Sequence, residues 1–292
     1  MEDDKSLISL SGLSKVGELL IERISTGIGG LARPWQTKRL ARAEAEAAKI
    51  QLLAEIERDE LKRRALTRFV AEEMNKQSNM ESITSKALPD LSPDAKPQGM
   101  ENDWIAHFFD RCKLISDEQM QSLWARVLAG EANNPGTYSK RTVNFLATLD
   151  KSDAEQFTRL QSFCWVLDGE PVALINDFND PMYLEYGVSF GVLTHLDSIG
   201  LIVFDSLAGF VRKTKEPITF KASYFEHVHL IQVPSQECNL EVGHVLMTQV
   251  GRQLASVCES RPVEEFYERT TKNWCATGLI LSSEWPRHPQ NK

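Results

Sequence analysis

A long stretch without glycine or proline, from Trp35 to Gln77, constrains the fold of this chain more than any other feature. Alanine, glutamate, lysine, arginine and leucine dominate it, and these residues favour the α-helix. Pro34 fits the first turn of such a helix. Because a helix rises about 1.5 Å per residue, about 40 residues would extend roughly 60 Å, well beyond a compact domain. We therefore predict a long charged helix over residues 35–77 that forms an arm.

The side chains of this helix predict self-association and a basic patch. Its apolar positions form an imperfect row that Glu57 interrupts, which suits partial pairing with another helix better than a strict coiled coil. We therefore expect a homo-oligomer. The basic residues near its start, which are candidate contacts to phosphate or lipid headgroups, are Arg33, Lys38, Arg39 and Arg42. Acidic residues lie among them, so a solvated charged face also explains the pattern.

Residues 1–34 have the pattern of an amphipathic helix that contains several glycines. The candidate membrane-binding or partner-binding residues on its apolar face are Leu13, Leu20, Ile24, Ile28 and Leu31. Because each interior glycine costs about 1 kcal/mol of helix stability, the helix needs a covering surface: lipid, another subunit or the main domain. Its polar face mixes charge signs and has no tryptophan or phenylalanine, which weakens the lipid alternative.

Composition divides the rest of the chain into four parts. Residues 78–101 are polar and contain several prolines, which predicts a flexible linker. Residues 102–167 have periodic apolar positions and helix caps such as Ser139, which predict a helical bundle. Residues 168–282 alternate helical and extended patterns, which predict a winged-helix-like α+β domain, and residues 283–292 form a tail. The expected fold class is α+β, mainly helical, with a long N-terminal helical arm.

Charge and composition limit the functional classes. The formal net charge of -8 at pH 7 disfavours indiscriminate binding to nucleic acid, because such binding depends on basic groups that neutralise phosphates. The five cysteines, an odd number, lie mostly in apolar patterns, which is typical of reduced thiols. No run approaches the roughly 18 apolar residues that span a bilayer. We expect a cytoplasmic protein that can associate peripherally with the inner membrane.

The sequence contains no convincing catalytic constellation. His227 and His229 lie two residues apart on an expected strand, so both face one side, and His244 on a later strand would complete a three-nitrogen metal site if it lay nearby. No carboxylate pattern supports that site, and histidines on such strands are commonly partly exposed residues without a ligand. Scattered acidic residues lack EF-hand or two-metal spacing. We therefore predict no catalytic residues, no metal and no cofactor.

One block of the chain is specific in sequence. Leu123–Glu131 reads Leu-Trp-Ala-Arg-Val-Leu-Ala-Gly-Glu, and Pro135, Gly136 and Ser139 follow it. This block resembles a bacterial family of unknown function, whose members also have a glycine-containing N-terminal helix and a helix rich in alanine and glutamate. That family is similar in layout to the alpha-type abortive-infection proteins, which implies a role in bacterial defence against phage. The resemblance implies no catalytic residues.

Three functional hypotheses follow. The preferred one is a non-catalytic interaction protein that self-associates through its N-terminal helices and engages a membrane surface or a partner protein during phage defence. The alternative is a winged-helix nucleic-acid-binding regulator. Its candidate phosphate contacts are Lys140, Arg141, Arg212, Lys213 and Lys215. The third is a hydrolase, which requires the three histidines to converge with an acidic residue.

Overall fold

A computed structural model of the chain describes residues 13–28, 60–214, 218–234 and 238–283. The chain divides into two compact units, residues 1–148 and 149–292. This division lies before the boundary near residue 167 that composition suggests, because the helix and the first strand after residue 149 belong to the second unit. A helical first unit and a second unit with an antiparallel sheet agree with the expected fold class, α+β and mainly helical.

Within its described residues, the first unit contains helices and no strands. Its helices are α1 (Lys15–Ile28), α2 (Glu60–Ala87), α3 (Asn102–Cys112), α4 (Glu118–Asn133) and α5 (Lys140–Ala147), with short 3-10 helices at Leu88–Asp90 and Pro97–Gly99. Polar side chains cap the starts of α4 and α5. The Asp117 carboxylate accepts hydrogen bonds from two backbone amides of α4, and the Ser139 hydroxyl accepts one from Thr142 of α5. These caps explain why the chain turns into a helix at those points.

A buried aromatic cluster joins the helices of the first unit. Phe108 of α3 stacks on Trp104 at 5.0 Å between ring centroids and meets Trp124 of α4 edge-on at 5.1 Å. The indole Nε1 of Trp104 donates a 2.7 Å hydrogen bond to the carbonyl oxygen of Tyr138. The segment before α5 is thereby tied to the same core.

The structure differs from the flexible linker predicted over residues 78–101. Helix α2 continues to Ala87, and Ile83 on its inner face is fully buried. The Ser82 hydroxyl donates a 2.8 Å hydrogen bond to Gln121 Oε1 of α4, against which α2 packs. Two of the three prolines of this segment, Pro89 and Pro97, lie at the starts of the 3-10 helices, where a missing amide is tolerated. Proline content there reflects tight turns in a packed segment.

The second unit combines helices with antiparallel strands. Its helices are α6 (Lys151–Gln161), α7 (Pro181–Glu185), α8 (Phe190–Ser198), α9 (Gln249–Ala255) and α10 (Glu264–Ala276). Its strands are β1 (Cys164–Leu167), β2 (Glu170–Ala173), β3 (Ile202–Phe204), β4 (Phe210–Thr214), β5 (Ile218–Tyr224), β6 (His227–Val233), β7 (Cys238–Gly243), β8 (Val245–Met247) and β9 (Ile280–Ser283). Five of these strands form one sheet in the order β2-β1-β5-β6-β9.

The remaining strands pair in an order that a winged helix does not predict. A winged helix requires a hairpin of consecutive strands after its last helix, whereas here β3 pairs with β8 and β4 pairs with β7. The consecutive strands β5 and β6 do form a hairpin, but it belongs to the five-stranded sheet. The winged-helix description of this unit therefore stays a prediction without support from the strand order.

Aromatic side chains fill the space between the large sheet and α10. Trp165 of β1 is fully buried, with ring centroids 5.3 Å from Tyr224 of β5 and 4.6 Å from Trp274 of α10. The Tyr224 hydroxyl donates to the Ser162 carbonyl oxygen at 2.8 Å and accepts from the Val263 amide at 2.7 Å. The hydroxyl group of Tyr224 therefore has hydrogen-bond partners inside the core. These hydrogen bonds link the end of α6 and the start of α10 to the sheet.

Helix α9 crosses the backbone of Leu201 at a glycine. A Cβ at Gly251 would lie 2.0 Å from the Leu201 carbonyl oxygen, which is closer than atoms can approach without backbone movement. The N-cap residue of α9, Thr248, also donates through Oγ1 to the Leu201 carbonyl oxygen at 3.0 Å. Only glycine lets α9 lie this close to the chain that precedes β3.

Gly251→Ala is expected to destabilise the second unit by about 1–3 kcal/mol, because the added methyl group overpacks a backbone contact. The measurement is urea unfolding followed by tryptophan fluorescence. Gly191→Ala in α8 is the matched control, since a Cβ there would meet only Ser189 Oγ, at 3.9 Å. The control is expected to be as stable as the parent protein or slightly more stable. Equal unfolding midpoints for the two variants would contradict the close approach.

Candidate functional site

The apolar face of α1, predicted to bind a membrane or a partner, is covered inside the first unit. Leu20 and Ile24 are both 0% exposed, and α1 packs against α3. Gly27 permits that approach, since a Cβ there would lie 2.8 Å from Ile105 Cγ2. The assignment of Leu20 and Ile24 to a membrane-binding or partner-binding surface is therefore corrected: they are core residues. Their periodicity is that of a helix covered by its own domain.

The other predicted contacts have different positions. Leu13 and Ile28, at the two ends of the same face, are half-buried. The calls on Leu31, Arg33, Lys38, Arg39, Arg42 and Lys215 lie outside the described residues. Among the candidate phosphate contacts, Lys140 belongs to the first unit and lies 3.9 Å from the carboxylate of Asp103. Arg212 and Lys213 belong to β4 of the second unit.

A different apolar row is exposed on the first half of α2. Its large side chains are Leu61, Phe69, Val70 and Met74, with exposed fractions of 68%, 58%, 47% and 67%. At 3.6 residues per turn, Val70 and Met74 are neighbours one turn apart, whereas Leu61 and Phe69 lie on other sides of the helix. We call these four residues the α2 apolar surface. Neighbouring exposed apolar side chains such as Val70 and Met74 are typical of interaction sites, whereas single ones are ordinary.

Charged side chains surround the α2 apolar surface. Arg68 and Glu72 form an ion pair at 3.0 Å, and Lys76 and Glu73 form another at 2.6 Å. Both pairs join residues of the same helix, and both are at least partly exposed to solvent. Pairs of this kind contribute only a few tenths of a kcal/mol each, so they hold the helix surface weakly. Their charges can be re-paired by an approaching surface at little cost.

The specific block Leu123–Glu131 forms core and supports a turn. Glu131 is buried, and its two carboxylate oxygens accept hydrogen bonds from the amides of Gly136 at 2.7 Å and Tyr138 at 2.8 Å. Gly130 leaves room for the Tyr138 ring, because a Cβ there would lie 2.8 Å from its Cε2. Burial raises the pKa of the Glu131 carboxyl, although the backbone hydrogen bonds oppose that shift. The block is explained by folding, with no chemistry assigned to it.

The three histidines considered for a metal site do not make a common set of contacts. His227 stacks on Tyr267 of α10 with ring centroids 4.1 Å apart, and His229 Nε2 lies 2.9 Å from the Tyr267 hydroxyl. His244 Nδ1 instead donates to the carbonyl oxygen of Asp205 at 2.6 Å. Over the described ranges, no three side chains of His, Cys, Asp or Glu form a group that could hold a metal ion.

The structure brings together an aromatic stack that sequence reasoning did not connect. Tyr267 stacks with both histidines and with Trp165, whose ring centroid is 5.8 Å from that of Tyr267. Burial lowers the pKa of His229, and the neighbouring His227 lowers it further. Trp165 Nε1 and His229 Nδ1 are buried and have no hydrogen-bond partner in the described part of the chain. The available signal was the seven-residue spacing of Tyr267 and Trp274 on α10, which places both on the face toward the sheet.

A second unforeseen contact joins two helices of the second unit. His195 Nε2 of α8 lies 2.8 Å from Asp153 Oδ1 of α6. The Asp153 carboxylate also accepts from the backbone amide of Asp150, as part of a capping box at the start of α6. The contact therefore fixes α8 to the first turn of α6.

None of the helices in the described ranges is both long enough and apolar enough to span a membrane.

Glu131→Gln is expected to destabilise the protein by about 1–3 kcal/mol, because the amide nitrogen that replaces one carboxylate oxygen cannot accept a hydrogen bond, and one of the two backbone amides loses its acceptor. The measurement is urea unfolding at neutral pH. Glu60→Gln is the control, since Glu60 is exposed and forms only a 4.0 Å pair with Arg63. We expect the control to stay within about 0.5 kcal/mol of the parent protein. A Glu131→Gln variant of parental stability would show that the turn does not depend on the carboxylate.

The free energy of unfolding is expected to fall as the pH decreases below about 6.5, partly through His229. Its pKa in the folded protein lies below the ordinary value of 6.5, so the unfolded chain takes up the proton first and protonation favours unfolding. His229→Gln should therefore lose less stability than the parent protein between about pH 7.5 and pH 5.5. Urea unfolding at both pH values measures this difference. Identical losses would remove His229 from the pH dependence.

Comparison with known proteins gives one match. No curated protein and no solved structure matches the chain. A family of proteins of unknown function, DUF2806, matches residues 63–271, which is more than two thirds of the 292 residues. The match confirms the prediction of a family of unknown function, whereas Leu123–Glu131 as the motif of that family and the likeness to abortive-infection proteins stay predictions. The chain belongs to the DUF2806 family of proteins of unknown function.

Proposed function

We propose that this protein is a cytoplasmic, non-catalytic interaction protein that self-associates through α2 and engages a partner protein in bacterial defence against phage. The observation that carries self-association is the α2 apolar surface, four large side chains exposed on one helix. The role in defence derives from the similarity in sequence layout to alpha-type abortive-infection proteins. Membership of a family of unknown function is compatible with this role and does not specify it.

The size of the α2 apolar surface suits association between copies. Complete burial of one large apolar side chain contributes about 1.5–3 kcal/mol, and an interface between two copies would bury neighbouring residues such as Val70 and Met74 from each. Association itself costs about 4–15 kcal/mol. The two quantities are of the same order, so these residues support a weak to moderate self-association. A single exposed side chain such as Leu114 does not.

The membrane has no part in this proposal. The residues that suggested a lipid contact include Leu20 and Ile24, which lie in the core of the first unit. Nucleic acid is not adopted either, because Lys140 already lies near a carboxylate and the strand order does not support a winged helix. Among the described residues, the α2 apolar surface is a feature that supports binding to a protein partner.

Replacing Phe69 and Met74 together by glutamate is expected to reduce the mass of the protein in solution from an oligomer to a monomer. Both side chains are exposed, so the unfolding midpoint should change little, by about 0.5 kcal/mol or less. Multi-angle light scattering on the full chain measures the mass. Leu114→Glu is the matched control, because Leu114 is 69% exposed but lies outside α2. Loss of mass in the control, or an oligomer that survives the double substitution, would contradict the proposal.

The defence role has its own readout. Bacteria that express the parent protein should form fewer phage plaques than bacteria that express the double variant at the same level. Equal plaque numbers in cells with the parent protein, with the variant and with neither would overturn the role in defence, while the mass measurement would still decide self-association.

A further inference from the structure

We propose that β4 of the second unit binds an extended acidic segment of a partner protein, which adds to the sheet as a further strand antiparallel to β4. This inference rests on the partner binding proposed above, and it names the contact surface on this chain and the kind of segment that the surface takes. It does not involve α2 or self-association. We call Val211, Arg212 and Lys213 with their backbone the β4 edge.

Within the described residues, β4 is paired along one side only. It forms a two-stranded sheet with β7, in which Arg212 lies opposite Leu240 and Val211 opposite Glu241. The backbone groups of a strand point alternately to its two sides, so a strand with one neighbour presents free amides and carbonyls along the other side. Over the described ranges, no hydrogen bond joins the backbone of β4 to an element other than β7. The β4 edge can therefore accept a further strand.

The other two-stranded sheet of this unit has a partly closed edge. The backbone amide of Phe204 in β3 donates to Asp197 Oδ1 at 3.1 Å. A side chain of the same unit thus takes up a donor that a further strand would need. In the part of the chain that the structure describes, β4 has an edge of five residues without a contact of this kind.

Both faces of β4 are in solvent. Val211, Arg212 and Lys213 are all exposed, and 48% of the surface of Val211 is accessible. Since side chains alternate along a strand, Val211 and Lys213 lie on one face and Arg212 on the other. Neither basic side chain forms an ion pair with a described residue. A strand that arrives at this edge meets two uncompensated positive charges and one apolar side chain.

These charges select the kind of segment that binds. A second copy of β4 that paired along its whole length in antiparallel register would set Arg212 opposite Arg212, and like charges directly opposite each other oppose pairing. Basic side chains on edge strands prevent pairing between copies in this way. The same charges favour carboxylates on an incoming strand. The β4 edge therefore disfavours its own copy and suits an acidic segment.

Nucleic acid fits this edge less well. Glu241, opposite Val211, is also exposed, so a phosphate backbone along the sheet would meet a carboxylate beside the basic side chains. Phosphate oxygens accept hydrogen bonds from the free amides and offer nothing to the free carbonyls. An extended peptide pairs with both, because its own backbone alternates donors and acceptors.

The direction of pairing sets the order of residues in the segment. Antiparallel pairing is slightly the more stable arrangement, and it is the one that β4 already has with β7. An antiparallel segment places its residues, from the N-terminal side, opposite Lys213, then Arg212, then Val211. Opposite charges and apolar side chains stabilise such cross-strand pairs. The expected order in the segment is acidic, acidic, apolar.

A synthetic peptide tests the charge and the location. The probe is fluorescein-labelled Thr-Thr-Glu-Glu-Val-Thr-Thr, and fluorescence anisotropy with the full chain measures its dissociation constant. Arg212→Glu/Lys213→Glu should weaken binding of the probe about tenfold and strengthen binding of a probe in which lysines replace both glutamates. The matched control is Lys140→Glu/Arg141→Glu, which makes the same charge change at two adjacent exposed residues of the first unit. The control should bind the probe within about twofold of the parent protein.

N-methylated probes test the strand addition. Methyl groups on alternate backbone nitrogens remove the donors from one side of an extended peptide and leave those on the other side. One of the two alternate sets faces β4, so one N-methylated probe should lose binding while the other keeps it. Equal binding by both would overturn strand addition. Binding of labelled oligothymidylate that depends on Arg212 and Lys213, without binding of the peptide, would overturn the proposal in favour of nucleic acid.

The failures of the two proposals can be told apart. A probe that does not bind, or that binds the parent protein and Arg212→Glu/Lys213→Glu equally, would overturn the β4 edge as a docking surface. Self-association through α2 and the role in defence would still be decided by the mass of the protein and by plaque numbers. A monomeric parent protein that binds the probe as expected would overturn self-association and support the β4 edge.

Discussion

The helical unit depends on one buried carboxylate beneath a turn. Glu131 accepts the amides of Gly136 and Tyr138, and the Tyr138 carbonyl oxygen in turn accepts the indole hydrogen bond of Trp104. The chain from α4 to α5 is thus held to α3 through two successive polar contacts inside an apolar core. Burial of such groups is tolerated only when their partners are in place. This requirement explains why Gly130, beside the Tyr138 ring, must remain without a side chain.

Local features of the fold were predictable because their causes are local. A hydroxyl at Ser139 followed by a helical pattern indicates a helix start, and the structure has that cap. The packed segment over residues 78–101 was not predictable in this way, because one side of α2 supplies its few inward residues, such as Ile83. The polar composition of such a segment reflects the residues on its solvent-facing side. It does not reveal the few buried residues on its inner side. The strand order was also hidden, since β3 and β8 are more than 40 residues apart.

Prediction from the sequence was limited in the same way for the candidate surface. Periodicity indicates an apolar face on α1 and an apolar row on α2, yet α3 covers Leu20 whereas Phe69 stays exposed. Tertiary packing decides which element covers an apolar helix face, and the spacing of residues in the sequence does not specify that packing. The histidines illustrate it for strands. His229 lies beside Tyr267 of α10, whereas His244, between β7 and β8, donates to the carbonyl oxygen of Asp205. Local alternation placed two of the three on one face and had no means to place the third.

Helix α2 is unbroken from Glu60 to Ala87, and this continuity has a mechanical consequence. Its last turns are fixed by contacts such as Ser82 with Gln121, whereas its first turns stand in solvent. Residues 60–87 contain no glycine or proline at which the helix could bend, and the last turns of the helix are held by packing. A displacement of the exposed turns would therefore act on the contact between Ser82 and Gln121 rather than being absorbed at a hinge within the helix.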